Sequence, residues 1–244
     1  MPADRAGGES DRPPGARPDR CFFGRQRGRS LRPHQAERLE RLLPSLRIDL
    51  KRPAPERLVD LFDVPVGEVW LEIGFGSGEH LIHRAIRNPT VGFIGVEPFV
   101  NGHAALVEKI EEQDVKNIRV LDFEVAPLLA WLPAGSLARI IVLYPDPWPK
   151  RRHRKRRLIS AKTLAKFAKL MRPGAELWLA TDIADYAVSS LAAILSSDDF
   201  EWIADGPDDW RRPFPDWPGT RYEAKATAAG RRPVYLVIRR GSGA

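Results

Sequence analysis

Five short apolar runs that alternate with stretches of helical periodicity set the main constraint on what this chain can fold into. The runs cover 69–73, 91–96, 118–121, 140–144 and 177–180, and the helix-period stretches lie near 80–87, 104–112, 158–170 and 186–195. Strands joined by helices of this length need crossover connections, and crossovers give a parallel sheet covered on both faces. A last apolar run at 233–238 predicts an antiparallel edge strand, and a short helical pattern at 35–43 precedes the first strand. The expected class is therefore α/β with a mostly parallel sheet. In open sheets of this kind ligands bind outside the carboxyl ends of the strands, where the strand order reverses.

Composition narrows the setting. With 244 residues and 43% hydrophobic side chains, the chain can bury the core of one ordinary domain plus a small appendage, which excludes a fibrous or wholly disordered protein. No apolar run approaches the roughly 18 residues of a membrane span, and no secretory leader pattern opens the chain, so no membrane partner is expected. The one cysteine, Cys21, makes an internal disulfide impossible and fits a reducing compartment; cytoplasm is the expected location. Residues 1–20 mix Pro, Gly and charge and are expected to form a disordered tail. A basic arm and helix over 21–60 and a catalytic domain over 61–244 complete the expected division.

The net charge of +7 is local. Seven cations sit in Lys150, Arg151, Arg152, Arg154, Lys155, Arg156 and Arg157, with His153 among them, and without this block bases and acids balance at 32 each. A local patch on a balanced protein points to a polyanion docked at one place. The stretch around Arg25, Arg27 and Arg29, with its glycines, is a second candidate for phosphate contact.

The first strand runs into Glu72-Ile73-Gly74-Phe75-Gly76-Ser77-Gly78, three alternate glycines between a buried strand and a helix. Such a turn lets the backbone take positive φ and lets a ligand approach the main chain. The G-x-G-x-G spacing is not that of dinucleotide binders, and Glu72 just ahead of it would repel a pyrophosphate. Glu97 ends the second strand, where a carboxylate can accept hydrogen bonds from both ribose hydroxyls. Asp122 and Glu124 follow the third strand and Asp146 the fourth. A rim of carboxylates suits a cofactor with a ribose, a cationic centre and no phosphate, a description S-adenosylmethionine fits. Asp146 sits between two prolines in Tyr144-Pro145-Asp146-Pro147-Trp148-Pro149-Lys150, a stiff loop that joins an acid, an aromatic ring and the basic block. Asp182 ends the fifth strand, and the polar stretch Gly219-Thr220-Arg221-Tyr222-Glu223 reads as a turn able to close over a base.

Together these segments resemble the bacterial tRNA (guanine-N7-)-methyltransferase family over roughly 22–238. The Pro145-Asp146-Pro147-Trp148-Pro149-Lys150 loop with its basic run is the specific part; the glycine turn alone says only methyltransferase. The resemblance implies a Rossmann-like, seven-stranded class I methyltransferase fold, with S-adenosylmethionine as cofactor, no metal, and a guanosine in the variable loop of tRNA as substrate. It assigns Asp146 to catalysis; Glu72, Gly74, Gly76, Glu97 and Glu124 to the cofactor; Lys150, Asp182, Thr220, Arg221, Tyr222 and Glu223 to the substrate; and 151–157 to RNA. The family usually has Asp-Ala where this chain has Glu124-Val125, so Glu124 is assigned by position and Asp122 stays open. Arg221 and Tyr222 stand where Lys and Phe are often found. Monomer and homodimer are both open. Competing readings are an exocyclic-amine methyltransferase, an inactive RNA-binding subunit and a nicotinamide-dependent oxidoreductase.

Overall fold

The computed structural model describes residue 26 and residues 28–242. The tail expected over 1–20, Cys21 and much of the basic arm lie outside the described residues. Among the described residues seven strands form one sheet: β1 (Glu68–Ile73), β2 (Val91–Val96), β3 (Ile118–Leu121), β4 (Leu137–Leu143), β5 (Met171–Thr181), β6 (Phe200–Trp202) and β7 (Val234–Arg240). The helices are α1 (Pro33–Leu46), α2 (Glu79–Arg87), α3 (Val100–Glu112), α4 (Val125–Trp131), α5 (Ala161–Leu170), α6 (Ala184–Leu195), α7 (Pro207–Arg211) and α8 (Arg221–Ala228).

The order across the sheet is β3-β2-β1-β4-β5-β7-β6. The first five of these strands pair in parallel, and β7 is antiparallel to both its neighbours. β7 thus has the expected direction. It lies one place in from the edge, because the three-residue β6, too short to register as an apolar run, pairs along its outer side. The chain order reverses between β2-β1 and β4, so the carboxyl ends of β1, β2 and β4 flank the crevice where a ligand is expected.

The parallel strands are mostly apolar because helices cover both faces; Glu72 in β1, Arg119 in β3 and Arg139 in β4 are among the charged exceptions. Successive β1 side chains feed separate cores: Val69, Leu71 and Ile73 pack with α4, α5 and α6, while Trp70 packs with α1, α2 and α3. α1 is fixed to α3 by Arg38 bonding Glu108 (2.5 Å) and Glu111 (2.9 Å) and by Arg41 bonding Glu111 (2.5 Å).

Two sequence expectations change here. The helix expected over 158–170 starts at Ala161, because Ser160 caps it by accepting the N–H of Thr163 (3.3 Å). The stretch read as a polar turn around 219–223 is the N-terminus of α8: Thr220 Oγ1 accepts the N–H of Glu223 (3.1 Å). Ala226 is the one buried residue of α8, so the helix carries no apolar period and rests on its cap and its surroundings.

Asn117, buried before β3, donates its side-chain amide to the carbonyls of Ala85 (3.0 Å), Asn88 (3.2 Å) and Val91 (2.8 Å), joining the end of α2 to the start of β2. Asn117→Ala leaves those carbonyls without that donor and is expected to lower stability by about 2 kcal/mol, seen as a lower urea midpoint at unchanged slope.

Candidate active site

β1 stops at the glycine turn because three positive φ angles, +82° at Gly74, +59° at Gly76 and +76° at Gly78, bend the backbone away from the sheet before α2 begins. The turn is held from below by Glu97. Its Oε2 accepts the N–H of Gly76 (2.9 Å) and its Oε1 the N–H of Phe99 (3.0 Å), so one carboxylate ties the turn after β1 to the end of β2. Gly102, in the first turn of α3, completes this contact: a Cβ there would lie 2.2 Å from the carbonyl oxygen of Gly76. At Gly74 a Cβ would meet nothing within 4 Å, which leaves the space above the turn open.

That space is a cavity of about 410 Å³ at the carboxyl ends of β1, β2 and β4, walled by Gly74, Gly76, Glu97, Phe99, Tyr144, Asp146, Trp148, Arg156, Arg221 and Tyr222 among others. Burial pushes the Glu97 carboxyl above the usual carboxylate range, against the lowering effect of its two backbone bonds. Each of its oxygens keeps a further lone pair for ligand hydroxyls. Asp146 is open to the cavity, yet the protein around it also raises its pKa by desolvation. These features fit S-adenosylmethionine: backbone exposed at the turn, acids at the rim, and open volume between them.

The loop that presents Asp146 is strained. Tyr144 and Trp148 have φ of +49° and +41°, a region that costs a non-glycine residue about 1–3 kcal/mol. Arg157 opposes that strain. It is buried, donates Nε to Pro147 O (2.9 Å) and one terminal nitrogen to Ser189 Oγ (2.6 Å), and is paired with Asp185 at the start of α6. Arg156 lies over the Trp148 ring, its guanidinium carbon 4.8 Å from the centroid. The basic block itself forms a 3-10 helix, Arg151–Arg156, on which Lys150, Arg151, Arg152, Arg154 and Lys155 are exposed and His153 is half-buried. Arg157, expected at an RNA surface, is instead an internal clamp. Arg154 is exposed and bonds Asp185 (2.7 Å).

The remaining expected residues divide. Arg221 and Tyr222 reach the cavity, and the Tyr222 ring stacks near Tyr144, with centroids 6.5 Å apart. Glu223 does not open into it: Trp217 Nε1 donates to its Oε2 (2.5 Å) and the Tyr235 hydroxyl to its Oε1. Asp182 pairs with Arg231 (2.6 Å). Glu72 is buried behind the turn and bonds His80 (2.7 Å). Glu124 is buried at the residue preceding α4, next to Val125 on the cavity wall, while Asp122 pairs with Arg47 (2.5 Å). Sequence reasoning passed over His80, Arg84 and Trp217. The available signal was His80 and Arg84 one helical turn apart on a face that is otherwise apolar.

No group of three or more His, Cys, Asp or Glu able to hold a metal is found among the described residues. None of the described helices is long and apolar enough to cross a membrane.

Comparison with known proteins agrees with this geometry. A family described as "Putative methyltransferase" matches residues 67–236. The tRNA (guanine-N(7)-)-methyltransferase of Rhizobium meliloti (strain 1021) is 51% identical over 226 residues, 93% of this chain and 97% of that protein. The protein of the same name from Mesorhizobium japonicum is 50% identical over 228 residues, again 93% and 97%. With a strand order built around a glycine turn and an acidic rim, and with half its residues shared across nearly the full length of these relatives, the chain belongs to the tRNA (guanine-N7-)-methyltransferase family.

Proposed function

We propose that the chain forms N7-methylguanosine in the variable loop of tRNA, acting in the cytoplasm where that substrate is found. The observation that carries this reading is the meeting, on one cavity wall, of the glycine turn with Glu97 and the strained Asp146 loop that leads into the basic block.

S-adenosylmethionine, when bound, would supply a methyl group on a cationic sulfur to the guanine N7 lone pair, which is free at neutral pH, the S–CH3 bond breaking with its electron pair so that the neutral thioether S-adenosylhomocysteine leaves. No proton has to leave N7, so no general base is called for. Asp146 then orients the guanine by accepting from N1–H and the exocyclic amine, and its negative charge offsets the positive charge gained by the methylated ring. Glu97 binds the ribose hydroxyls of the cofactor, with Gly74 and Gly76 offering backbone beside it; Glu72 and Glu124 support the cofactor from behind this first contact. Tyr222 and Trp148 supply aromatic faces at the cavity. Exposed Lys150, Arg151, Arg152 and Lys155 bind phosphates, which sets affinity and register without reading sequence.

The direct test is to incubate the protein with unmodified tRNA and S-adenosylmethionine and identify the methylated nucleoside by mass spectrometry; 7-methylguanosine supports the reading and any other nucleoside defeats it. Asp146→Ala is expected to lower methyl transfer by about 10²–10³-fold while cofactor binding, measured by calorimetry, holds. Glu97→Ala should weaken cofactor binding itself. Equal loss of cofactor affinity in both variants would contradict this division of roles.

The raised pKa of Asp146 has two consequences of opposite sign. Only the ionised carboxylate can accept from N1–H and the exocyclic amine with both oxygens and carry the offsetting charge, so activity should fall with decreasing pH at values above the ordinary Asp range. A folded pKa above the unfolded one means that this group's contribution to stability falls as pH rises through that window. At neutral pH Asp146→Asn should therefore raise the melting temperature while removing activity; a lower melting temperature would show that the carboxylate is held by favourable contacts.

The two arginine roles separate in a further experiment. Arg151→Ala should reduce the salt dependence of tRNA binding by about one unit of slope and leave the melting temperature unchanged. Arg157→Ala should cost about 2 kcal/mol of stability, since it leaves Pro147 O and Asp185 without this partner.

A further inference from the structure

Glu72 at the end of β1 begins a chain of buried polar contacts that leads away from the cavity and returns to it from the other side. Its Oε2 lies 2.7 Å from His80 Nδ1. Arg84 Nε, which can only donate, bonds His80 Nε2 at 3.2 Å. Nε2 must therefore be bare, and the neutral ring carries its proton on Nδ1 and donates it to Glu72. Arg84 is itself 4% exposed. It gives a terminal N–H to Pro215 O (2.6 Å) and has its other terminal nitrogen 3.9 Å from Asp216 Oδ2. His83 (3.2 Å) and Arg87 (3.3 Å) meet the same Asp216 oxygen, so three side chains of α2 converge on the segment 215–216.

The next residue closes the circuit. Trp217 packs on His80, ring centroids 5.2 Å apart, and donates Nε1 to Glu223 Oε2 (2.5 Å). The segment has no regular structure of its own, with prolines at 213, 215 and 218 and a positive φ of +53° at Asp216. α8, which follows, buries one residue. Phe214, buried and stacked on Trp178 (4.6 Å), anchors the start of the segment, and the α2 contacts hold 215–217 beyond it, on the approach to Arg221 and Tyr222 at the cavity mouth.

We propose that His80 and Arg84 are positioning residues for the nucleic-acid substrate: through 215–217 and Glu223 they fix Arg221 and Tyr222 over the cavity. The identity of that substrate rests on the reaction proposed above. Arg84 suits the task because its rigid planar fork donates from two separate nitrogens, Nε to the His80 ring and a terminal nitrogen to the Pro215 carbonyl, where a lysine has a single nitrogen on a flexible stem. The same α2 starts at the glycine turn, so the floor of the cofactor side and the roof of the substrate side share one helix.

The test uses Arg84→Met, which keeps length and packing but removes every donor, and Asp216→Asn, an exposed change that tolerates the positive φ and removes the charge. For each, tRNA KM, kcat, S-adenosylhomocysteine affinity and hydrogen exchange across 214–223 are measured on the full chain. Arg84→Met should raise tRNA KM about tenfold, leave cofactor-product affinity within about twofold, and accelerate exchange in 217–223. Asp216→Asn should shift the same quantities less, and it decides the matter if Arg84→Met does not fold. Unchanged exchange in 217–223, or tRNA KM and cofactor-product affinity weakening together by the same factor, would overturn the proposal. Absence of 7-methylguanosine from the wild-type reaction would instead overturn the reaction reading, and with it the substrate named here.

Discussion

The two hydrogen bonds accepted by the Glu97 carboxylate hold the site together. A strand end and a glycine turn are separate pieces of backbone, and each leaves an N–H without a ladder partner where the sheet stops. Glu97 satisfies one from each, at Gly76 and at Phe99, and Gly102 lets α3 approach the turn closely enough for this to happen. The carboxylate is buried in doing so, and its raised pKa is the mark of that burial. Position of the turn, entry angle of α3 and the rim of the cavity all follow from one side chain that also faces the ligand space.

A second theme is the use of arginine in internal roles on a basic protein. Arg157 closes the loop of Asp146 against α6, Arg84 closes 215–217 against α2, and Arg139 lies between the Trp70 and Trp178 rings at 4.0 and 3.9 Å. In each case the guanidinium spans groups from different elements, a geometry its fork of donors and flat face permits. The strained φ at Tyr144 and Trp148 persists because such clamps surround it. Charge that reads as surface basicity in the sequence is thus partly structural, and the residues left for the proposed phosphate contacts are the exposed Lys150, Arg151, Arg152 and Lys155.

How much was legible in the sequence follows from how local each signal is. The parallel strands β1 to β5 show as largely apolar runs because both sheet faces are covered, with Glu72 and Arg119 as interruptions, and Gly74, Gly76, Glu97 and Asp146 are legible because each follows closely on the end of such a run. β6 left no trace, since three residues give no period. α8 reads as a turn in the sequence although Thr220 and Glu223 carry the spacing of a capping box, because the helix has no apolar stripe to support that signal. The resemblance and the basic run give Glu72, Glu223 and Arg157 expected roles at the cofactor, the substrate and the RNA, but their structural partners His80, Trp217 and Asp185 are brought to them by tertiary packing. No spacing along the chain encodes those contacts.

In the proposed reaction Asp146 holds the guanine by its hydrogen-bonding edge and removes no proton, and a single change in the substrate probes this role. It is tested most directly by placing inosine, which keeps N7 but lacks the exocyclic amine, at the methylated guanosine and measuring single-turnover transfer with wild type and Asp146→Ala. A penalty of about 10–100-fold in the wild type that disappears in the variant is the expected result, since the carboxylate and the amine would then act as one pair. The same penalty in both proteins would contradict it and assign Asp146 a role that does not involve the amine edge of the base.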